Sequence, residues 1–468
     1  MNLNRLGPLL SYAGTYISIA SSLLTSIILA RILTPAEIGV SSVSFALIAF
    51  ANLFRDLGLA NFIHTARELP DHIFRSCLGV SMIIGATLAG IIALSSIVLA
   101  ALASDSRISE ATLALSLNFL LIPPQAIVFA ILVRRGKHLR VFAGITSASL
   151  LNLLFSWWLA RSGYSYLSAP LASVATSAFG FIIVLLLRDR EYTIRPDLHR
   201  AREVIAISVH PFISGITKTG TERAPELSIA GFGSGFDNVA YYEKAASASE
   251  LGRRLVFDSI AQIFTPILRK ASVSEASFRR VATDYLSLAS ILGIPLTIGM
   301  LLSAEPLILF LFGENWRHTV PILKALALSI PFSFLITTLS QLAFFQNRHA
   351  ELTRILIPAR ILEIIVIVAA TNVGFQWIAP TVVASECILS IVLLVVFSET
   401  YNRRQLTFQS LLGLALAGIS LPGATYLAME MNRITQPILV RLVVPSSALA
   451  IVWLLVAIPL YLRWRKQG

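Results

Sequence analysis

"GITKTGTERAPELSIAGFG", residues 215–233, decides how this chain is read. Lys218, Glu222, Arg223 and Glu226 place four charges within nine residues, and apolar sequence follows at once. The 468 residues are 56% hydrophobic and 13% charged, with a mean hydropathy of +0.77. A soluble domain cannot cover itself with polar surface from such a composition. The class is therefore an integral membrane protein. Within lipid every backbone polar group must bond internally, which leaves helices or a closed barrel. The apolar runs are about 20 residues long rather than about 10 and alternating, so they read as helices. The question is whether the charged stretch crosses the membrane with them.

Candidate spans fall at 11–30, 38–54, 76–103, 111–133, 141–160, 166–187, 204–230, 238–266, 281–303, 319–345, 355–370, 377–397, 408–428 and 438–462. The first reads as a retained span and not a cleaved signal, since its apolar run is long and no small-residue cleavage site follows. The loops test this set. With a cytoplasmic N-terminus, one set of alternate loops carries 24 Lys and Arg and the other carries 5. Short cytoplasmic loops concentrate Lys and Arg, and the net charge of +12 is accounted for in this way. Omitting span seven would reverse every later loop and erase the bias, so the charged segment is expected to cross. Both termini are then expected in the cytoplasm. The longest loop, 188–203, is too short to fold as a soluble domain.

"LARILTPAEIGV" (residues 29–40) and "IAGFGSGFDNVA" (residues 229–240) are offset by 200 residues, pairing Ala30 with Ala230 and Glu37 with Asp237. Six spans separate the copies, so the repeats would be parallel. Two six-helix bundles related by an axis along the membrane normal are a known transporter plan, with the site between them. The expected architecture is all-α, with about 14 transmembrane helices. An N-lobe of helices 1–6 would occupy residues 1–203 and a C-lobe of helices 7–12 residues 204–400, around a central cavity. Two additional helices would fill 401–468.

A lipid-facing charge at mid-membrane costs at least about 2.5–3.5 kcal/mol, so charges inside spans should face an interior or pair. Lys218, Glu222 and Glu226 recur every four residues and drift only about 80° around span seven. In span eight, Glu243, Glu250, Arg254 and Asp258 fall within about 80° as well. Glu250 and Asp258 each lie four residues from Arg254 and can pair with it. Arg360, Glu363 and Glu386 add charges to spans eleven and twelve. The Glu250–Arg254–Asp258 group reads equally as a structural network or as part of a site. A stripe in span one, Ser11, Thr15, Ser18, Ser22 and Thr25, has the spacing of small residues that let helices pack closely. Lys324, Arg441 and Glu305 sit near span ends, where long side chains reach the interface. Pro225 interrupts span seven, as proline does in the broken helices of transporter sites.

No GxxxxGK[ST], HExxH or GxSxG is present, and "GFGSGF" lacks the spacing of a dinucleotide-binding loop. Two cysteines, Cys77 and Cys387, have no metal-like spacing, and the seven histidines do not cluster as ligands. No catalytic residues, metal or cofactor are expected, and no enzyme. The basic residues are dispersed without an aromatic-interleaved patch, so no nucleic acid is expected. A charged interior between helix bundles describes a transporter.

"ARILTPAEIGVSSVSFALIAFANLFRDLGLANFI" (residues 30–63) resembles the opening of bacterial polysaccharide transporters, with its "AR-L-P--G" and "-DLG". "FGENWRHTVPILKALAL" (residues 312–328) is similar to their "FG--W---V-IL--L" segment, and "ELSIAGFGSGFDNVAYYEKA" (residues 226–245) to their acidic residue, "LLIG" and "LG-YS-A". The resemblance covers most of residues 1–400. It points to the O-antigen and exopolysaccharide flippases of the multidrug/oligosaccharidyl-lipid/polysaccharide exporter superfamily. Glu226 stands where the family more often has Asp, and Asn238–Val239 replaces Leu-Gly.

The resemblance implies alternating access in a bacterial cytoplasmic membrane. It also implies a polyprenyl-pyrophosphate-linked oligosaccharide as substrate, flipped from the cytoplasmic to the periplasmic leaflet for surface or exopolysaccharide biosynthesis. A pyrophosphate needs Arg or Lys in a dry, preorganised cavity. Lys218, Arg223 and Arg254 are the expected anion-binding residues, with Arg31, Arg55 and Arg360 behind them. Glu222, Glu226, Glu250 and Asp258 would balance charge or couple to a cation. Membrane lipid, a polysaccharide polymerase and export machinery are the expected partners. A cation-coupled multidrug exporter of the same superfamily, a peptidoglycan-precursor flippase and a membrane scaffold are the alternatives. The exporter would want an interior of acids and aromatics, whereas basic residues are prominent here.

Overall fold

The computed structural model describes residues 3–56, 59, 63, 70–103, 105–187, 196–199, 201, 219–232, 234–272 and 274–402. Helices dominate these residues, and no strand occurs among them. The succession begins with α1 (Leu3–Ile32), α2 (Pro35–Asp56), α3 (Asp71–Ala103), α4 (Ser106–Ser116), α5 (Asn118–Arg134), α6 (His138–Arg161) and α7 (Ser168–Leu187). Residues 219–231 form α8. Then follow α9 (Phe236–Ala271), α10 (Glu275–Leu311), α11 (Thr319–Ala327), α12 (Ile330–Phe345), α13 (His349–Val373) and α14 (Ile378–Val396).

The first twelve expected spans fall on these helices, with span seven described only from residue 219 and spans thirteen and fourteen outside the described residues. Two expected spans prove to be interrupted. Span four is α4 and α5, broken at Leu117, whose N–H bonds to the Ala114 carbonyl in a tighter turn. Pro123 and Pro124 follow in the first turns of α5 and offer no N–H to the carbonyls of residues 119 and 120. Span ten is α11 and α12, bent by 46°, where Pro331 opens the second helix. Span seven differs in the other sense: α8 runs unbroken through Pro225. Neighbouring groups in a membrane protein can satisfy the carbonyl that a proline frees.

Eight described helices are long and apolar enough to cross a membrane, or up to nine with the bent pair. The 36-residue α9 is not among them, because it carries the charges discussed below. The chain is a multi-pass membrane protein of the expected all-α class. The described residues fall into two compact units, one ending at Ala240 and one beginning at Tyr241.

The first unit is set by packing around α3 and α5, where Phe74, Cys77, Leu78, Ile127 and Ile131 form one buried cluster. Thr34 and Glu37 close a capping box at the start of α2. The Thr34 N–H and hydroxyl donate to Glu37 Oε2 at 2.7 and 2.9 Å, and the Glu37 N–H returns to Thr34 Oγ1. Glu37 also accepts from the Ser165 hydroxyl. Between α3 and α4, Asp105 caps α4 and pairs with Arg107 at 2.7 Å; that guanidinium holds the carboxyl below the usual range. The two halves of the sequence repeat meet nearby: a Cβ on Gly39 would lie 1.9 Å from the Phe236 carbonyl oxygen, and Val40, Val239 and Ala240 are fully buried.

The second unit has an aromatic core. Phe257 of α9 packs against Tyr285 of α10 and Phe334 of α12, with Phe264 stacked on Tyr285 at 4.7 Å. The Tyr285 hydroxyl donates to Gln341 Oε1 at 2.6 Å, which satisfies its one polar atom in the apolar interior.

Candidate functional site

Charges inside the second unit gather at the middle of three helices. Glu250 and Arg253 are the fifteenth and eighteenth of the 36 residues of α9. Arg360 and Glu363 are the twelfth and fifteenth of the 25 residues of α13. Glu386 is the ninth of the 19 residues of α14. Each therefore lies two or more turns from a helix end, and a charge at mid-membrane is costly.

They are held as pairs. Glu250 accepts from the guanidinium of Arg253 and, at 2.7 Å, from Nε of Arg254. Glu363 accepts from Arg360 at 2.7 Å. The same guanidinium stands 3.9 Å from Glu386. Both Arg360 and Glu363 are largely buried, at 18% and 3% side-chain exposure. Bonds of this kind offset the cost of desolvation, and removal of one partner leaves the other uncompensated.

The structure sorts the expected residues. Arg254 reaches Glu250 as its spacing suggested. The buried guanidinium on that turn, however, is Arg253, with 19% side-chain exposure against 60% for Arg254. Asp258 is exposed and acts on Arg253 through its charge. In α8, Arg223 donates to both oxygens of the buried Glu226, at 3.0 and 3.1 Å, while Glu222 is exposed. Lys218 lies outside the described residues. Arg31 is exposed in the last turn of α1, where a cation suits the helix dipole. Arg55 lies in the last turn of α2 with its guanidinium 5.9 Å from the centre of the Phe119 ring. The ten expected residues are thus brought together in part: Glu250 with Arg254, and Arg223 with Glu226. Arg253 escaped the sequence reading because helical phase assigns it to a different stripe from Arg254, one residue and 100° away. Glu386, the lone acid in the apolar "VASECILS", was legible in the sequence, and its charge acts on Arg253.

A second buried charge in α9 is Lys244, paired with Glu243 at 3.0 Å. Its ammonium sits 5.9 Å from the Phe312 ring centre. Phe312 and the fully buried Trp316 both belong to the "FGENW" stretch. That stretch closes the turn between α10 and α11, where Gly313 takes a φ of 98° open to few residues but glycine. Tyr241 packs edge-on to Trp316 at 5.9 Å.

A profile of the polysaccharide biosynthesis protein family matches residues 28–321, more than half of the chain. The chain belongs to this family. Among its relatives, the lipopolysaccharide biosynthesis protein WzxC of Escherichia coli is 23% identical over 68% of the chain and 64% of its own length. The succinoglycan biosynthesis transport protein ExoT of Rhizobium meliloti is 25% identical over the same shares. The matched part of the chain thus spans less than two thirds of either relative. In fold it resembles the lipid II flippase MurJ in its inward closed conformation, with a TM-score of 0.76 at 14% identity over 97% of this chain and 99% of that one. It also resembles an inward-facing multidrug resistance MATE transporter of the MOP superfamily, with a TM-score of 0.65 at 12% identity over 84% and 95%. The family match takes in α8, α9 and the "FGENW" turn, and therefore Arg223, Glu226, Glu250 and Arg253. It ends before α13 and α14, which carry Arg360, Glu363 and Glu386.

Proposed function

We propose that this polysaccharide biosynthesis protein is a transporter that flips polyprenyl-pyrophosphate-linked oligosaccharide repeat units across a bacterial cytoplasmic membrane. It is not an enzyme in this reading, and it works by alternating access of an N-lobe (1–203) and a C-lobe (204–400), with both termini cytoplasmic. The observation that carries the proposal is the network of guanidiniums paired with carboxylates at mid-helix in α9, α13 and α14. Such a network keeps cations at a depth where nothing apolar needs them, and an amphiphile with a compact anionic group does. Arg223, Arg254 and Arg360, with Lys218, Arg31 and Arg55, would neutralise the pyrophosphate. Glu222, Glu226, Glu250 and Asp258 would balance the charge between turnovers or couple to a cation. Family membership and relatives named for lipopolysaccharide biosynthesis and succinoglycan transport support the same substrate class. The lipid tail would stay in the bilayer, and a polymerase and export machinery would take the product.

Lipid mass spectrometry on a strain lacking the protein tests this. The expected result is accumulation of one completed polyprenyl-pyrophosphate glycan together with loss of a surface polymer. An unchanged lipid-glycan profile with intact polymer refutes it.

A further inference from the structure

We infer that Glu386 is a tethered place-holder in an anion site walled by Arg253 of α9 and Arg360 of α13, which the diphosphate of the substrate enters by displacing it. The inference rests on the flippase reading and names how its site is kept between substrates.

Three carboxylates and three guanidiniums make up the cluster, and they are not held alike. Glu250 is bonded by two arginines of its own helix. Glu363 is bonded by Arg360, three residues earlier on its own helix. Glu386 has no basic residue on α14. Its nearest guanidinium nitrogen, on Arg360, is 3.9 Å away, beyond hydrogen-bond length. Arg253 is near enough for its charge to act on Glu386, and the Ser333 hydroxyl of α12 lies beside it. Its Oε2 is nonetheless buried with no hydrogen-bond partner, and the like charge of Glu363 acts on it too. A buried carboxylate oxygen without a donor is costly. What keeps Glu386 there is the Ser333 hydroxyl and attraction to two cations on two other helices, without a short bond to either cation.

That is the position an incoming anion would occupy. A diphosphate presents several oxygens and forms short, charge-assisted, forked bonds with guanidinium. Against it stands one carboxylate at 3.9 Å, the weakest-held member of the cluster. Arg253 keeps Glu250 and Arg360 keeps Glu363 throughout the exchange. As diphosphate arrives, Glu386 swings away from Arg360. As diphosphate leaves, Glu386 returns to the field of the two guanidiniums. The return also competes with the bound anion and speeds its release. Glu386 is thus a positioning residue that trades affinity for turnover.

The test uses purified full-length protein in lipid nanodiscs with inorganic pyrophosphate as probe, measured by calorimetry, alongside glycolipid flipping in cells. Glu386→Gln keeps the shape and removes the charge. It is expected to bind pyrophosphate on the order of tenfold more tightly and to complement the deletion strain more slowly. Glu386→Asp, which restores the charge, is expected to return both values toward those of the parent. Arg253→Gln and Arg360→Gln are expected to weaken binding severalfold. A Glu386→Gln protein that is monodisperse, binds pyrophosphate no more tightly than the parent and flips at the parental rate overturns the inference. If the deletion strain still accumulates its lipid-linked glycan, the flippase reading survives that outcome. Absence of pyrophosphate binding in the parent also overturns the inference. An unaltered lipid profile in the deletion strain removes the flippase reading itself.

Discussion

Single charges differ in consequence according to what surrounds them. Glu363 is 3% exposed and bonded to the largely buried Arg360, so Glu363→Ala leaves a guanidinium with only the more distant Glu386. The expected loss is about 3 kcal/mol of stability, the lower end for breaking a buried pair, read as a fall in thermal midpoint in nanodiscs. Arg317 and Glu314 make a pair of similar length, 2.9 Å, but with 54% and 70% of the side chains exposed. Glu314→Ala should therefore stay within about 0.5 kcal/mol of the parent. Sequence spacing exposed the Arg254–Glu250 contact, because partners four apart share a helix face. Arg253 was not found in that way. Its burial depends on which side of α9 faces the rest of its unit, and residues on α10 and α12 decide that.

At the scale of elements, close helix approach is written in glycines, but only packing says which of them matter. Gly85 and Gly90 lie five residues apart on α3. A Cβ at Gly85 would stand 2.2 Å from the Phe119 carbonyl oxygen and 2.7 Å from Pro123 Cγ, and the first of these is backbone that cannot swing aside. At Gly90 a Cβ would meet nothing within 4 Å. Gly85→Ala should cost roughly 1–3 kcal/mol through overpacking and lower the yield of folded protein. Gly90→Ala should be neutral or stabilise by about 0.5–1 kcal/mol, as alanine does inside a helix. Thermal unfolding of the two variants checks both. The breaks within spans four and ten belong to this scale as well. Their prolines are plain in the sequence. Yet Pro225 leaves α8 unbroken, so a proline marks a place where a helix can bend and its neighbours settle whether it does.

For the whole molecule, the bias of 24 basic residues against 5 predicts that both termini are cytoplasmic. A cysteine at Ser162, after α6, should react with an impermeant thiol reagent added to intact cells or spheroplasts. A cysteine at Gly136, after α5, should react only after permeabilisation; the reverse pattern would invert the topology. What the sequence by itself determined is the class of this protein. Its apolar runs have the length of a bilayer-spanning helix, and lipid admits no other open backbone. Its motifs agree with the family match over residues 28–321. What only the tertiary structure decided is which mid-helix charges confront each other. Arg253, Arg360 and Glu386 are far apart in the chain, and helical phase reports a residue's direction only about its own axis. Coulomb attraction and hydrogen bonding between helices depend on distances that exist after the helices have packed.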